Sequence, residues 1–350
     1  MVNVQDPAKR GLGVSRELSL AEIFQLGYYW ETKILLTAVR LDIFSVLDGK
    51  PKTAAETAAR IGAHEPTLVL LLNALVAMRL LTKAGELYGN SSVAEMHLVR
   101  HSAQYIGHLL LLHDAEWNNW GKLEETIRSG KRTVDRHVFE TDPGLGANVL
   151  AVLHRIGRQS GPELAKRLQL QGPLHLLDLG GGAGTNAIAF CQVYPELIAT
   201  VFDLPSTLPL TEKTVKDAGL ESRIALQGGD FNLDGLGGPY DVVLMSDILH
   251  YQTFETNQAL VAKVFTHLAP GGRLIIKDRF LDETGTGPAW TTAFAVHIVV
   301  NTQQGACYKT ADAMQWMTQA GFISLEELEK TAVVQGYRPR EMNGTSEVRK

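Results

Sequence analysis

The segment HLLDLGGGAGTNAIAF, residues 175–190, constrains the fold more than any other stretch of the chain. An apolar run of strand type leads into clustered glycines and out into a helical pattern. A turn of this kind opens a doubly wound sheet: backbone amides and the positive end of a helix face a ligand there, and glycines let the ligand approach the backbone. From residue 173 onward, short β-type runs alternate with helical patterns: LHLLDL, LIATVFD, RIALQ, YDVVLMS and RLIIKD, separated by polar or glycine-rich turns. That alternation specifies an α/β domain with a parallel sheet. The stretch FETNQALVAKVFTHL carries Val261, Val264, Phe265 and Leu268 at helical spacing, as a crossover helix laying one stripe on the sheet requires. Beyond residue 321, FISL and AVVQGY read as a hairpin or antiparallel pair at the end of the sheet.

The front of the chain reads differently. Ser19 with Glu22 and Thr53 with Glu56 have capping-box spacing, and residues 20–82 read as helices punctuated by Gly49, Gly62 and Pro66. LLTKAGELYGNSS then reads as a short hairpin around Ala84 and Gly85, and helices followed by a small wing suggest a winged helix. Residues 100–165 are helical by pattern, with a Trp-rich piece, EWNNWGKL, and one flexible-looking stretch, VFETDPGLGAN. The expected division is a winged-helix-like domain at 15–100, a helical linker and pocket cover at 101–165, and the α/β domain at 166–342.

The chain has 350 residues, 45% of them hydrophobic, which is enough to bury at least one full core. Its net charge of -5 leaves no basic footprint, so nucleic acid is not expected as a partner. A winged helix raises that possibility again, but the candidate reading helix, PTLVLLLNALVAMRLL at 66–81, offers only Asn73 and Arg79 among leucines, valines and alanines. Base reading needs several polar side chains on the exposed face. This helix is expected to pack against protein. Cys191 and Cys307 are the only cysteines, too few for a disulfide framework or a thiolate metal site, and they fit a reducing compartment. Neither a signal-peptide core in the first nineteen residues nor an apolar run of eighteen is present, so a soluble, cytoplasmic protein without membrane attachment is expected. Asp241 and Asp247 flank an apolar run without a set of partner ligands, so no metal site is expected.

The glycine turn does not follow the dinucleotide fingerprint. Counting from Gly180 gives Gly182 and then Thr185 where the last glycine should fall, which disfavours a nicotinamide oxidoreductase. What stands there is Asp178, Gly180, Gly181, Gly182 and Gly184. Asp203, in VFDLP, follows Gly180 by 23 residues, where a carboxylate can accept both hydroxyls of a ribose. GGDF places Asp230 and Phe231 after the third β-run, suited to accept from an adenine amino group and to pack on the ring. With LAPGG ahead of the fifth run, this set resembles the class I S-adenosylmethionine-dependent methyltransferases. Together with the winged front, residues from about 15 to 340 resemble the small-molecule O-methyltransferase family, which includes plant caffeate-type and bacterial natural-product enzymes. The resemblance implies a Rossmann-like, mostly parallel seven-stranded sheet and S-adenosylmethionine as cofactor, contacted by Gly180, Gly182, Asp203, Asp230 and Phe231. It also implies a small, typically phenolic acceptor and a homodimer, in which the winged-helix front serves dimerisation and one subunit helps to close the other's pocket.

A sulfonium methyl is already electrophilic, so the residues around it must align the acceptor, exclude water and remove the acceptor's proton. His250, in LMSDILHYQ, lies just past the fourth β-run at the edge of the cleft and matches the family's catalytic base. The family's His-Asp-Trp run is here His250, Tyr251, Gln252. Asp278, in LIIKDRF, matches a carboxylate that flanks the base and is expected to fix its tautomer and stabilise its charged form. The second flanking carboxylate of the family falls at Tyr308, a residue able to hydrogen-bond the acceptor instead, and the family's cofactor-side lysine falls at Ser246. His113, His154 and His297 lie in apolar helical contexts, of which His154 is a candidate to face the acceptor. Trp117 and Trp120 suit a pocket wall or simple packing. The altered run after His250 and the tyrosine at 308 leave sulfur, nitrogen or carbon open as acceptor atoms. A non-catalytic regulator that retains the fold is the remote alternative, against which His250 counts.

Overall fold

The computed structural model describes residues 17–132, 134 and 142–340. Within them the chain forms two compact units, one of residues 17–121 with 144–152, the other of the remainder.

The larger unit is built on a seven-stranded sheet. Its strands are β4 (His175–Leu179), β5 (Ile198–Asp203), β6 (Ile224–Gly228), β7 (Tyr240–Ser246), β8 (Leu268–Lys277), β9 (Ile323–Glu329) and β10 (Val333–Tyr337), in the order β6-β5-β4-β7-β8-β10-β9. The first five pair in parallel, with Asp178 opposite Val201 on one side and Leu244 on the other. The α/β, doubly wound architecture is therefore the one that the alternating runs require. β10 runs antiparallel to β8 and β9 antiparallel to β10, which is the antiparallel pair expected at the sheet's end. β4 and β7 are covered on both faces and read as continuous apolar runs for that reason. One face carries Leu177, Leu179, Val243, Met245 and Trp316, and the other Leu176, Val242, Leu244 and Phe190. The helix Phe254–His267 covers the first face through Leu260, Val261 and Val264. Leu268, expected as the last member of its stripe, instead opens β8, because the chain turns extended there.

The smaller unit has the expected helices and the expected hairpin, β2 (Leu81–Ala84) with β3 (Leu87–Asn90), to which a short strand that was not expected, β1 (Lys52–Thr53), adds in the order β1-β3-β2. Both capping boxes form, with Ser19 and Glu22, and Thr53 and Glu56, exchanging side-chain and backbone bonds. The helix expected over 66–81 runs Glu65–Ala77 and ends where Arg79 takes a left-handed backbone (φ 62°) before Leu81 enters β2. It buries Leu68, Leu72 and Leu75, and its Asn73 accepts from the Tyr88 hydroxyl of the wing at 2.8 Å. The helix is thus committed to its own core. Asp114, nearly buried, is bridged by Lys33 at 2.7 Å and Arg40 at 3.0 Å, fastening two helices of this unit together.

Part of the stretch read as flexible, VFETDPGLGAN, lies outside the described residues, as do the outermost ends of the expected domain limits at 15 and 342. Its later residues belong to a helix, Pro143–Gly157, that runs through Gly144 and Gly146. Among the described residues no helix is long and apolar enough to cross a membrane. The first helix, Leu20–Gly27, buries none of its side chains, and Leu20, Ile23, Phe24, Leu26 and Trp30 are each more than half exposed.

Candidate functional site

The turn after β4 is held by backbone geometry that glycine supplies. Gly180, Gly182 and Gly184 take φ values of 68°, 55° and 72°, a region costly for residues with a Cβ. A Cβ on Gly180 would lie 2.7 Å from Ile248 Cγ2 and 3.5 Å from Phe231 Cε1, so the turn, the end of β7 and Phe231 converge at one point. Gly184 caps the helix Thr185–Val193, whose N-terminus follows the turn. The loop is also tied sideways. The N–H of Gly182 donates to Asp203 Oδ2 at 2.7 Å, the hydroxyl of Thr211 donates to the Gly182 carbonyl at 2.6 Å, and the hydroxyl of Thr214 donates to the Ala183 carbonyl at 2.5 Å.

Two carboxylates flank this turn in different surroundings. Asp203 accepts from Gly182 N–H on one oxygen and from Leu204 N–H on the other, each at 2.7 Å, which leaves each oxygen a second lone pair. Asp178 is buried beneath the loop. Its Oδ2 accepts from Ala187 N–H at 3.0 Å while Oδ1 has no hydrogen-bond partner among the described residues, and burial pushes its pKa up to about 7. Asp230 lies two residues past Gly228, which pairs with Asp203 across β5 and β6, and its Oδ1 accepts from Asn232 N–H. A ribose-bearing cofactor fits this cradle: left-handed glycines without side chains keep its floor open, and the Asp203 carboxylate stands beside it with lone pairs to spare.

Past β7 the chain makes one turn of 3-10 helix, Leu249–Tyr251, that carries His250. His250 Nδ1 lies 2.7 Å from Asp278 Oδ1, and both side chains are about 4% and 3% exposed. Asp278 also accepts from the N–H groups of Leu249 at 3.0 Å and Arg279 at 2.7 Å, so it is fixed in place as a hydrogen-bonded carboxylate. With Nδ1 donating to it, the neutral imidazole carries its lone pair on Nε2.

Tyr308 is tied to the chain just past this turn. Its hydroxyl donates to the Gln252 carbonyl at 2.5 Å, its ring packs edge-on against Phe254 and Trp316, and no hydrogen bond joins it to His250 or Asp278. Burial pushes its pKa up to about 12. Asn257 donates to the Leu249 carbonyl at 2.9 Å and accepts from Gln252 at 3.0 Å. Tyr308 and Asn257 therefore brace the backbone on either side of His250. His154 Nδ1 is 2.8 Å from the hydroxyl of Thr185, the first residue of the helix after the glycine turn, which sets it beside the turn. Ser246 donates to Asp247 Oδ2 at 2.8 Å, and Lys277, its partner in the β7–β8 register, reaches the same oxygen at 2.5 Å and Ser246 Oγ at 3.4 Å. A lysine is thus present at the end of the neighbouring strand. Trp117 packs on Tyr29 and under Lys33, and burial lowers the pKa of His113. Asp241 accepts from His175 N–H at 2.8 Å, and no group of three His, Cys, Asp or Glu side chains is arranged for a metal among the described residues.

Three features escaped the sequence reading. The Thr211 and Thr214 braces lie on a helix with no signature of its own. Arg132 donates to the Gly305 carbonyl at 2.7 Å, and a Cβ at Gly305 would fall against the carbonyl of His250. The third is an aromatic face on the helix Ala289–Asn301, where Trp290, Phe294 and His297 recur at helical spacing, the one signal that was available.

A family model described as an O-methyltransferase domain matches residues 120–323, and one described as an O-methyltransferase dimerisation domain matches residues 24–100. The chain is 31% identical over 333 residues to the tetracenomycin polyketide synthesis 8-O-methyltransferase of Streptomyces glaucescens, covering 93% of this chain and 95% of that one. It is 31% identical to the N,N-dimethyltransferase OxyT of Streptomyces rimosus, over 77% of this chain and 79% of that one. Among solved structures, an O-methyltransferase family protein from Burkholderia thailandensis superposes with a TM-score of 0.80 at 27% identity, over 93% of this chain and all of that one.

The state of Asp178 has a measurable consequence. Its pKa is raised from 3.8 to about 7 on folding, so the folded chain binds that proton more tightly than the unfolded chain, and stability should fall as pH rises from about 4 to 7. Asp178→Asn keeps an acceptor for Ala187 and removes the charge, so urea unfolding at pH 5 and pH 8 should show a smaller loss at the higher pH than in the parent. An equal loss in both would contradict this assignment.

Proposed function

The chain belongs to the O-methyltransferase family, and from that membership we propose that it transfers the methyl group of S-adenosylmethionine to a hydroxyl of a small aromatic molecule, with His250 as general base. The observation that carries the proposal is the buried His250–Asp278 pair at 2.7 Å, next to the turn that Gly180 opens.

In this reading Gly180 and Gly182 line the cofactor with backbone and Asp203 accepts its ribose hydroxyls. Asp230 accepts from the adenine amino group, Phe231 packs on the ring, and Ser246, with Lys277 beside it, adds a polar contact. The bound cofactor supplies a methyl already activated on a sulfonium. His250 then takes the acceptor's proton at Nε2, and Asp278, bonded to Nδ1–H, holds the tautomer and stabilises the imidazolium. His154 and Tyr308 act on the walls of the site: one steadies the helix after the glycine turn, the other braces the backbone at Gln252. The N,N-dimethyltransferase relative makes nitrogen the second reading. A neutral amine already presents its lone pair, whereas a phenol with a pKa of about 10 gains most from a base, so the buried histidine–carboxylate pair favours oxygen. The smaller unit forms a homodimer, and the exposed apolar side chains of its first helix supply the surface for it.

Two measurements test these readings. His250→Ala should lower turnover by about 100-fold or more and leave cofactor affinity nearly unchanged, in an assay of phenols, thiols and amines with labelled cofactor. A wild-type rate in that variant removes the base. Light scattering should give a dimer for the parent and a shift toward monomer for Ile23→Asp combined with Phe24→Asp, while a monomeric parent overturns the assembly.

A further inference from the structure

The helix Ala289–Asn301 presents a column of flat groups beside His250. Trp290 and Phe294 stack at 4.9 Å with planes 19° apart, Phe294 and His297 follow at 5.6 Å and 17°, and His250 meets Phe294 edge-on at 5.1 Å. At the outer end lies Arg279. Its guanidinium carbon is 4.2 Å from the centre of the Trp290 ring and 5.2 Å from that of Phe294. The column therefore runs from a buried imidazole to an exposed cation.

The guanidinium forms one long ion pair and keeps its donors to spare. Its side chain makes no hydrogen bond among the described residues, and its nearest carboxylate, Asp247 Oδ1, is 4.0 Å away from Nε and outside hydrogen-bond reach. Asp247 is already engaged through its other oxygen by Lys277 at 2.5 Å and by the Ser246 hydroxyl at 2.8 Å. The Arg279 side chain keeps 45% of its exposure. A guanidinium held over an indole loses little further freedom when it binds, and its N–H donors form a fork that matches two oxygens in a plane. The chain connection is short as well, because the Arg279 N–H donates to Asp278, the partner of His250.

We propose that Arg279, held on Trp290 and Phe294, receives an anionic oxygen group of a planar aromatic acceptor, a ring-borne carboxylate for which the aromatic column supplies the matching flat surface. This rests on the methyl-transfer reading above and narrows it from small aromatics in general to those carrying a negative charge next to the ring. Arg279 is then a specificity determinant, acting on which acceptor binds rather than on the proton that His250 removes. The carboxylate of the cofactor's amino-acid end has the same chemistry, so the experiment must separate the two.

The test is equilibrium binding of two probes, 3-hydroxy-2-naphthoate and 2-naphthol, to the full chain saturated with S-adenosylhomocysteine. The parent should bind the naphthoate about tenfold or more tightly than the naphthol. Arg279→Gln should erase that preference while binding of 2-naphthol changes little, and Arg279→Lys, which keeps the charge without the fork, should restore part of it. Equal binding of both probes to the parent, binding of neither, or an equal loss of both in Arg279→Gln overturns the proposal. A tenfold loss of S-adenosylhomocysteine affinity in Arg279→Gln also overturns it, since the guanidinium would then serve the cofactor. Failure of the parent to bind S-adenosylhomocysteine at all is a separate result, which strikes the methyl-transfer reading instead. The comparison of the two probes on the parent stands even if a variant fails to fold.

Discussion

The hydrogen bond from Gly182 N–H to Asp203 Oδ2 fixes the site more than any other single contact. It ties the turn after β4 to the end of β5, so the two places where a ribose and its phosphate-free neighbour groups can be read are set at a constant separation. The bond requires a left-handed Gly182, and the turn around it requires Gly180 and Gly184 in the same region, which only glycine adopts without strain. Thr211 and Thr214 then lock the carbonyls of Gly182 and Ala183, so the loop is satisfied on both its donor and acceptor sides. A loop with its backbone groups so engaged is preorganised, and binding loses little entropy in ordering it.

The same logic governs the chemical end of the cleft. His250 sits on a single 3-10 turn, an element too short to hold a side chain by itself. It is held from outside instead. Asp278 takes the ring nitrogen and the Leu249 N–H together, Asn257 takes the Leu249 carbonyl, and Tyr308 takes the Gln252 carbonyl. At the position where the resemblance leads one to expect a second carboxylate, this chain has a hydroxyl that supports the turn, and in the proposed mechanism the imidazolium relies on Asp278.

How much of this was legible depended on how local each signal is. The glycine turn, the alternating runs and the two capping boxes are encoded within a few residues, so they could be read directly. His250 and Asp278 were legible because each lies just past a strand in a sheet whose order follows from the alternation, at positions that match the family's pattern. Contacts that join distant segments could not be read in this way. That the Tyr308 hydroxyl donates to a backbone carbonyl 56 positions away could not be read from its place in the sequence. The closeness of Lys277 to Ser246 depends on the β7–β8 register, and the end of the helix at Ala77 on a left-handed Arg79 that nothing in its composition announces. Trp290, Phe294 and His297 had the right spacing, but spacing alone does not distinguish a column beside a base from ordinary packing.

The central claim is that the glycine turn, Asp203, Phe231 and His250 surround one adenosine-bearing cofactor. A crystal structure of the chain with S-adenosylhomocysteine tests it most directly. The account predicts ribose hydroxyls on the Asp203 carboxylate, the adenine against Phe231, and the sulfur on the side of His250. A nucleoside seated away from Gly180 and Asp203, or one whose sulfur is turned from His250, would contradict it.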